Sequence, residues 1–361
     1  MKKIIAILLA VVMLASLCAC GDKTPPASDT DVPVTYPDTS DTDVNTDEPE
    51  ASDTDLPEED PVEEPSLSTE PVNIMVLNGT TGFGMAKLIS DAAAGNTALN
   101  YSISVETDAS NITAALINGT VDIAALPTNA ASVVYNKTGG AVQLLALNTL
   151  GVLYVVANSE SESIASLADL EGKTVYAPAQ NPSFIFDYIC KAAGVNVTID
   201  TSYAQPADLR TAVAAGEVSI AVLPEPMVTI AKAANDKLTV ALDLTEEWAN
   251  VSDADLVQGC VVVRREFAEG HGAELAAFLS EYELSIAFLD EDTAAAAEMI
   301  VNAGIFAQAP VAQKAIPGCN LCFIAGEDMI APMGGFLEAM NSVAPASIGG
   351  AVPAEDFYYV G

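Results

Sequence analysis

Four short stretches of this 361-residue chain hold most of the side chains that could bind or react, and each lies between an apolar run and a helical pattern. The first is Asn78 followed by Gly79-Thr80-Thr81-Gly82-Phe83-Gly84. Its glycine spacing reverses the dinucleotide-binding fingerprint, and no Gly-Lys-Ser/Thr follows it, so neither phosphate-cradling motif is present there. What it supplies is a glycine-rich turn at the start of a helix. Unpaired N–H groups and the helix dipole at such a turn favour an anion or a hydrogen-bond acceptor, although a tight turn needing positive φ would use the same glycines. Pro127-Thr128-Asn129 holds the equivalent place in a later unit, where Thr128 and Asn129 could equally serve as helix caps alone. Pro178-Ala179-Gln180-Asn181-Pro182-Ser183 and Leu223-Pro224-Glu225-Pro226 complete the set.

Other reactive residues point away from catalysis. His271 is the single histidine and sits in a turn between Gly270 and Gly272, so no Ser-His-Asp or Cys-His arrangement can be assembled with the four loops. Glu246-Glu247 and Glu291-Asp292 flank helical patterns and read as solvated faces or caps. Cys319-Asn320-Leu321-Cys322 has CxxC spacing, but no second CxxC accompanies it and it falls near the end of the chain. A redox or metal role stays open beside the plainer reading of small residues packed in a core. No metal site and no cofactor are expected.

The elements that must position these loops follow from periodicity. Short β-branched runs alternate with amphipathic helical stretches, which predicts parallel strands joined by crossover helices in an α/β fold. One such unit covers residues 72–157, including strands at 142–147 and 152–157. The pattern restarts after a polar break and continues to Trp248. A lone strand at 259–264 and a mostly helical remainder should rejoin the first unit. The expectation is therefore two lobes, 72–157 with 257–361 and 158–256, hinged near 157 and over 243–256. In open α/β sheets ligands bind beyond the carboxyl ends of the strands, which would make the four loops, two per lobe, face each other across a cleft. The site expected there comprises Asn78, Thr80, Thr81, Gly82, Phe83, Thr128 and Asn129 from the first lobe. Gln180, Asn181, Ser183 and Glu225 would close over it from the second. Such groups suit a neutral or amino-bearing polar solute, including a heterocycle stacked on Phe83.

The formal charge is −37, which excludes a nucleic-acid partner because phosphate neutralisation needs clustered Lys and Arg. The chain opens with Lys2, Lys3 and an apolar run that reads as a secretion signal over residues 1–19. That run closes in Leu17-Cys18-Ala19-Cys20-Gly21, which looks like a bacterial lipobox with Cys20 as the lipidated residue. Residues 20–71 then carry seventeen acids against Lys23 alone, with neither helical nor strand periodicity. That composition predicts a solvated tether.

Asn78 to Gly84, residues 122–129, Ser166-Leu167-Ala168-Asp169-Leu170-Glu171-Gly172-Lys173-Thr174-Val175 and residues 214–226 together resemble solute-binding proteins of ABC importers. The resemblance spans essentially all of residues 72–361. It is strongest toward the branch serving nitrate, taurine, alkanesulfonates and thiamine-pyrimidine precursors. It implies a type II periplasmic-binding-protein clamshell, each lobe an open, mostly parallel sheet flanked by helices. It also implies an extracytoplasmic lipoprotein, a monomer held to the bacterial cell membrane by an acyl (palmitate-type) anchor, that hands a small solute to an ABC permease. The alternative is an enzyme on the same fold, related to thiamine-pyrimidine synthesis. His271 and the Cys319–Cys322 pair do not reproduce the His and Cys-rich iron motif of that branch.

Overall fold

The computed structural model describes residues 67–361. The signal segment, Cys20 and nearly all of the expected tether lie outside them.

From Val72 the chain builds β1 (Val72–Leu77), α1 (Thr80–Phe83), α2 (Ala86–Ala94), β2 (Tyr101–Glu106), α3 (Ala109–Asn118), β3 (Ile123–Pro127), α4 (Thr128–Thr138) and β4 (Val142–Thr149). Then follow β5 (Leu153–Asn158), β6 (Thr174–Tyr176), α5 (Asn181–Ala193), β7 (Thr198–Asp200), α6 (Pro206–Ala215), β8 (Ile220–Pro224), α7 (Met227–Ala234), β9 (Leu238–Asp243) and α8 (Leu244–Ala249). The return segment is β10 (Gly259–Arg264), α9 (Arg265–Gly270), α10 (Gly272–Glu291), α11 (Thr293–Asn302), α12 (Ala309–Ala315), β11 (Leu321–Ala325) and α13 (Ile330–Val343).

Local chemistry accounts for most of these limits. In β1 buried and half-buried residues alternate strictly, as a strand with one face on a core requires. Asp108 caps α3 by accepting the Ser110 N–H at 2.8 Å, and Gly119 ends that helix at φ 70, a conformation costly for residues with a Cβ.

Two sheets result, ordered β11-β4-β10-β3-β1-β2 and β7-β6-β8-β5-β9. Helices flank both, giving the two-lobed clamshell of the periplasmic-binding-protein fold. Each sheet is mixed. β1 pairs in parallel with β2 and β3, and β6 with β7 and β8. β10 is antiparallel to β3 and β4, and β5 to β8 and β9. The reason is topological: β5 and β10 arrive from the other lobe, so they enter their sheets from the end opposite to strands delivered by a local crossover helix.

This corrects one boundary. β5, expected as a strand of the first lobe, pairs Val155 with Val222 and Leu242 in the second sheet. The first crossing therefore lies between Thr149 and Leu153 rather than near residue 157. Gly151 marks it, because a Cβ there would fall 2.2 Å from Thr245 Oγ1, where the two connecting segments pass. β11 was not expected at all. It adds an edge to the first sheet beside β4, and it carries Cys322 at the half-buried strand. The main core runs through both lobes, with Trp248, Phe336 and Met333 beside Phe186 and Val155. Helix α13 packs on α5 and so joins the return segment to the second lobe.

Candidate functional site

A cavity of about 410 Å3 lies where the carboxyl ends of β1, β3 and β8 converge with the start of β5. It is bounded by Leu77, Asn78, Gly79, Thr80, Thr81 and Pro127 from the first lobe, with Thr149 and Gln258 at the crossings. The second lobe adds Asn181, Pro182, Gln205, Pro206, Ala207, Glu225 and Met227, and Phe306 comes from the return segment. A larger space of about 660 Å3 adjoins it, lined among others by Asp108, Ala179 and Gln180, and shares Leu77, Asn78, Pro182, Gln205 and Pro206 with the first. The volumes match the roughly 300–1,000 Å3 of small-molecule sites.

The lobes touch directly around this cavity. Thr80 Oγ1 donates to the Glu225 carbonyl at 2.8 Å, and Tyr154 OH to the Gly318 carbonyl at 2.8 Å. Gln258 Oε1 accepts the Val152 N–H at 2.7 Å, bracing the two crossings against each other. The Glu225 carboxylate accepts from Thr229 N at 3.1 Å and Thr229 Oγ1 at 2.9 Å, at the start of α7. Asn181 Oδ1, beside the cavity, is buried without a hydrogen-bond partner.

Burial raises the Glu225 carboxyl above its ordinary value of 4.5, against the lowering effect of Thr229 and Lys232. The unfolded chain therefore releases this proton at lower pH than the folded one does. Glu225's contribution to stability is complete below the unfolded value and declines as pH rises through the folded value. Urea unfolding of Glu225→Gln between about pH 4 and about pH 7 should show a flatter loss of stability with rising pH than the parent. Parallel curves would show that this carboxyl is not the group responsible.

Of the residues expected at the site, Asn78, Thr80, Thr81, Asn181 and Glu225 line the first cavity and Gln180 the adjoining space. The other five do not. Phe83 is fully buried in a cluster with Ile305, Ile316 and Cys319, so no heterocycle can stack on it. The short α1 turn rotates Phe83 inward, and Phe306, edge-on to it at 6.1 Å, forms the wall instead. Gly82 lets that turn pack down: a Cβ there would lie 2.5 Å from the Leu77 carbonyl and 2.9 Å from Ile305. Thr128 Oγ1 donates to the Val257 carbonyl at 2.9 Å and Asn129 Nδ2 to the Ser347 carbonyl at 3.4 Å, so both tie α4 to the return segment. Ser183 Oγ is held by the Gln180 carbonyl at 2.9 Å in the first turn of α5.

Three lining residues missed from sequence, Gln205, Pro206 and Ala207, follow β7 and open α6. The same strand-then-helix rule that selected the other loops would have found them. Gln258 and Phe306 had no local signal.

His271 stacks on Phe267 at 4.2 Å and lies outside the cavity lining. Cys319 is buried 3.9 Å from Thr80 Oγ1, and burial pushes its thiol up. Cys322 is likewise pushed up, to about 12, and its Sγ faces the Leu147 carbonyl. All four cysteines among the described residues are free, and no group of His, Cys, Asp and Glu there could hold a metal ion. No described helix is long and apolar enough to cross a membrane.

Residues 99–313, well over half of the chain, match the family model described as menaquinone biosynthesis. The chain belongs to that menaquinone-biosynthesis family. No curated protein matches it. Solved structures similar to this family member include an ABC transporter protein from Parabacteroides distasonis, with TM-score 0.70 and 22% identity over 81% of this chain and 99% of that one. The periplasmic aliphatic sulphonate binding protein SsuA from Escherichia coli follows with TM-score 0.62 and 16% identity, covering 78% and 91%. The alkanesulfonate-binding protein SsuA from Xanthomonas axonopodis pv. citri, bound to MOPS, has TM-score 0.58 and 14% identity, covering 77% and 99%. At such identities the likeness is one of fold, which many functions share.

Proposed function

We propose that this member of the menaquinone-biosynthesis family is an extracytoplasmic solute-binding lipoprotein that captures a small organic molecule between its lobes and delivers it to an ABC permease. The observation that carries the reading is the cavity itself, placed at the strand ends of both lobes and bridged by the Thr80–Glu225 contact. The solved structures of the same fold, one named as an ABC transporter and two as aliphatic sulphonate- or alkanesulfonate-binding proteins, support it. So does the sequence resemblance to the nitrate, taurine, alkanesulfonate and thiamine-pyrimidine-precursor branch. In this reading the protein acts as a monomer, with Asn78, Thr80, Thr81, Asn181 and Glu225 contacting the solute.

A thermal-shift screen of sulfonates, nitrate, pyrimidines, vitamins and amino acids tests the binding role. A true solute at a hundred times its Kd adds about 2.7 kcal/mol of stability. A hit should be recovered chemically intact after incubation. The family description names a biosynthesis, and that favours a second reading, an enzyme working at the same cleft. Conversion of the hit to product would establish it.

Anchoring is a separate proposal resting on Cys20 in its lipobox context. Two acyl chains hold a protein stably where one is marginal. Cys20→Ser should move the protein from the membrane fraction to the medium or leave an unprocessed precursor. Processing and retention like the parent would remove Cys20 from that role.

A further inference from the structure

Prolines stand where an anion site would need donors. The first four N–H groups of a helix have no partner within it, and at strand-to-helix turns they are ready donors to an acidic ligand. Five helices open on the cavity, and all but the four-residue α1, with Gly79 as its N-cap, start on a proline: Pro127 is the N-cap of α4, Pro182 lies in the first turn of α5, Pro206 opens α6 and Pro226 is the N-cap of α7. All four line the cavity, and none has an N–H to give.

Some of the remaining donors are already engaged. The Thr128 N–H is held by the Gln258 carbonyl at 3.2 Å, and the Thr229 N–H by the Glu225 carboxylate at 3.1 Å. Helices α4 and α7 thus each lose two of their four free donors. No Lys, Arg or His lines either space, and the charged side chains that do, Glu225 and Asp108, are acids. An anion entering here would shed water without meeting a counter-charge, which is costly. The pyrrolidine rings, Leu153 and Phe306 offer it apolar walls instead.

We propose that the cleft takes an uncharged, ring-sized solute and rejects anions of the same shape, a claim that rests on the cleft being the solute site. Asn78, Thr81 and Gln258 would serve its polar edge.

Benzamide, benzoate and benzenesulfonate share a ring and differ in charge, so they make the test. Titrated into the isotope-labelled full chain at millimolar concentration, benzamide should shift amide signals of Thr81 and Met227, with both anions at least about tenfold weaker. Pro206→Ala returns an N–H to the start of α6 and should narrow that gap by strengthening the anions. Anions binding the same cavity as tightly as benzamide would overturn the solute class and leave the cleft as the site. Benzamide shifting only signals remote from the cavity would overturn the site, and the solute class with it. No binding by any of the three would overturn the proposal as well.

Discussion

Trp248→Ala is expected to cost about 3–5 kcal/mol of unfolding free energy, the range for deleting a large aromatic side chain from a packed core. Trp248 is 1% exposed and stands at the second crossing between lobes, on α8. Its ring packs against Tyr188 of α5 at 4.8 Å and Phe336 of α13 at 6.0 Å, and its Nε1 donates to the Ala254 carbonyl at 2.6 Å. Alanine would leave a cavity where three helices meet and reduce that carbonyl to its longer bond from Ser252 Oγ at 3.3 Å. Trp248→Phe keeps most of the packing and gives up the hydrogen bond, so its cost should be smaller, on the order of 1–2 kcal/mol. Urea unfolding of the three proteins measures both. A loss under about 1 kcal/mol for the alanine variant would mean that α13 and α8 contribute little to holding the lobes together.

Ala207→Trp should abolish solute binding while leaving the fold intact. Ala207 is the second residue of α6, exposed and lining the 410 Å3 cavity. An indole projecting from it would occupy space that the solute needs and obstruct seating of the lobes around it. Because the position is exposed, unfolding should change by no more than about 0.5 kcal/mol. Affinity for the solute found by thermal shift should fall by about a hundredfold or more, equivalent to at least about 2.7 kcal/mol. Calorimetry with wild-type affinity for the variant would place the site elsewhere.

Much of this protein was legible in its sequence because the relevant physics is local. The alternation in β1, the Asp108 cap of α3 and the Gly119 stop depend on residues within a few positions of one another. The same is true of the strand-to-helix turns. Asn78, Thr80, Thr81, Gln180, Asn181 and Glu225 were found in loops that follow strands, and they do face the cleft spaces. The orientation of individual side chains within those loops was less accessible. Phe83 and Thr81 are two residues apart, yet one turn of α1 sends Phe83 into the core and leaves Thr81 on the cavity.

Tertiary structure decided the rest. The runs that became β4 and β5 are separated by three residues and read as neighbours in one lobe; they lie in different sheets because β5 finds its partners in β8 and β9, about sixty to ninety residues later. Phe306 and Gln258 reach the cavity only because the return segment folds back onto the first lobe. Sequence periodicity specifies which face of an element is buried, but not which distant element buries it. That choice is made by long-range packing, whose loop-closure cost grows slowly with separation and leaves little trace in the residues nearby.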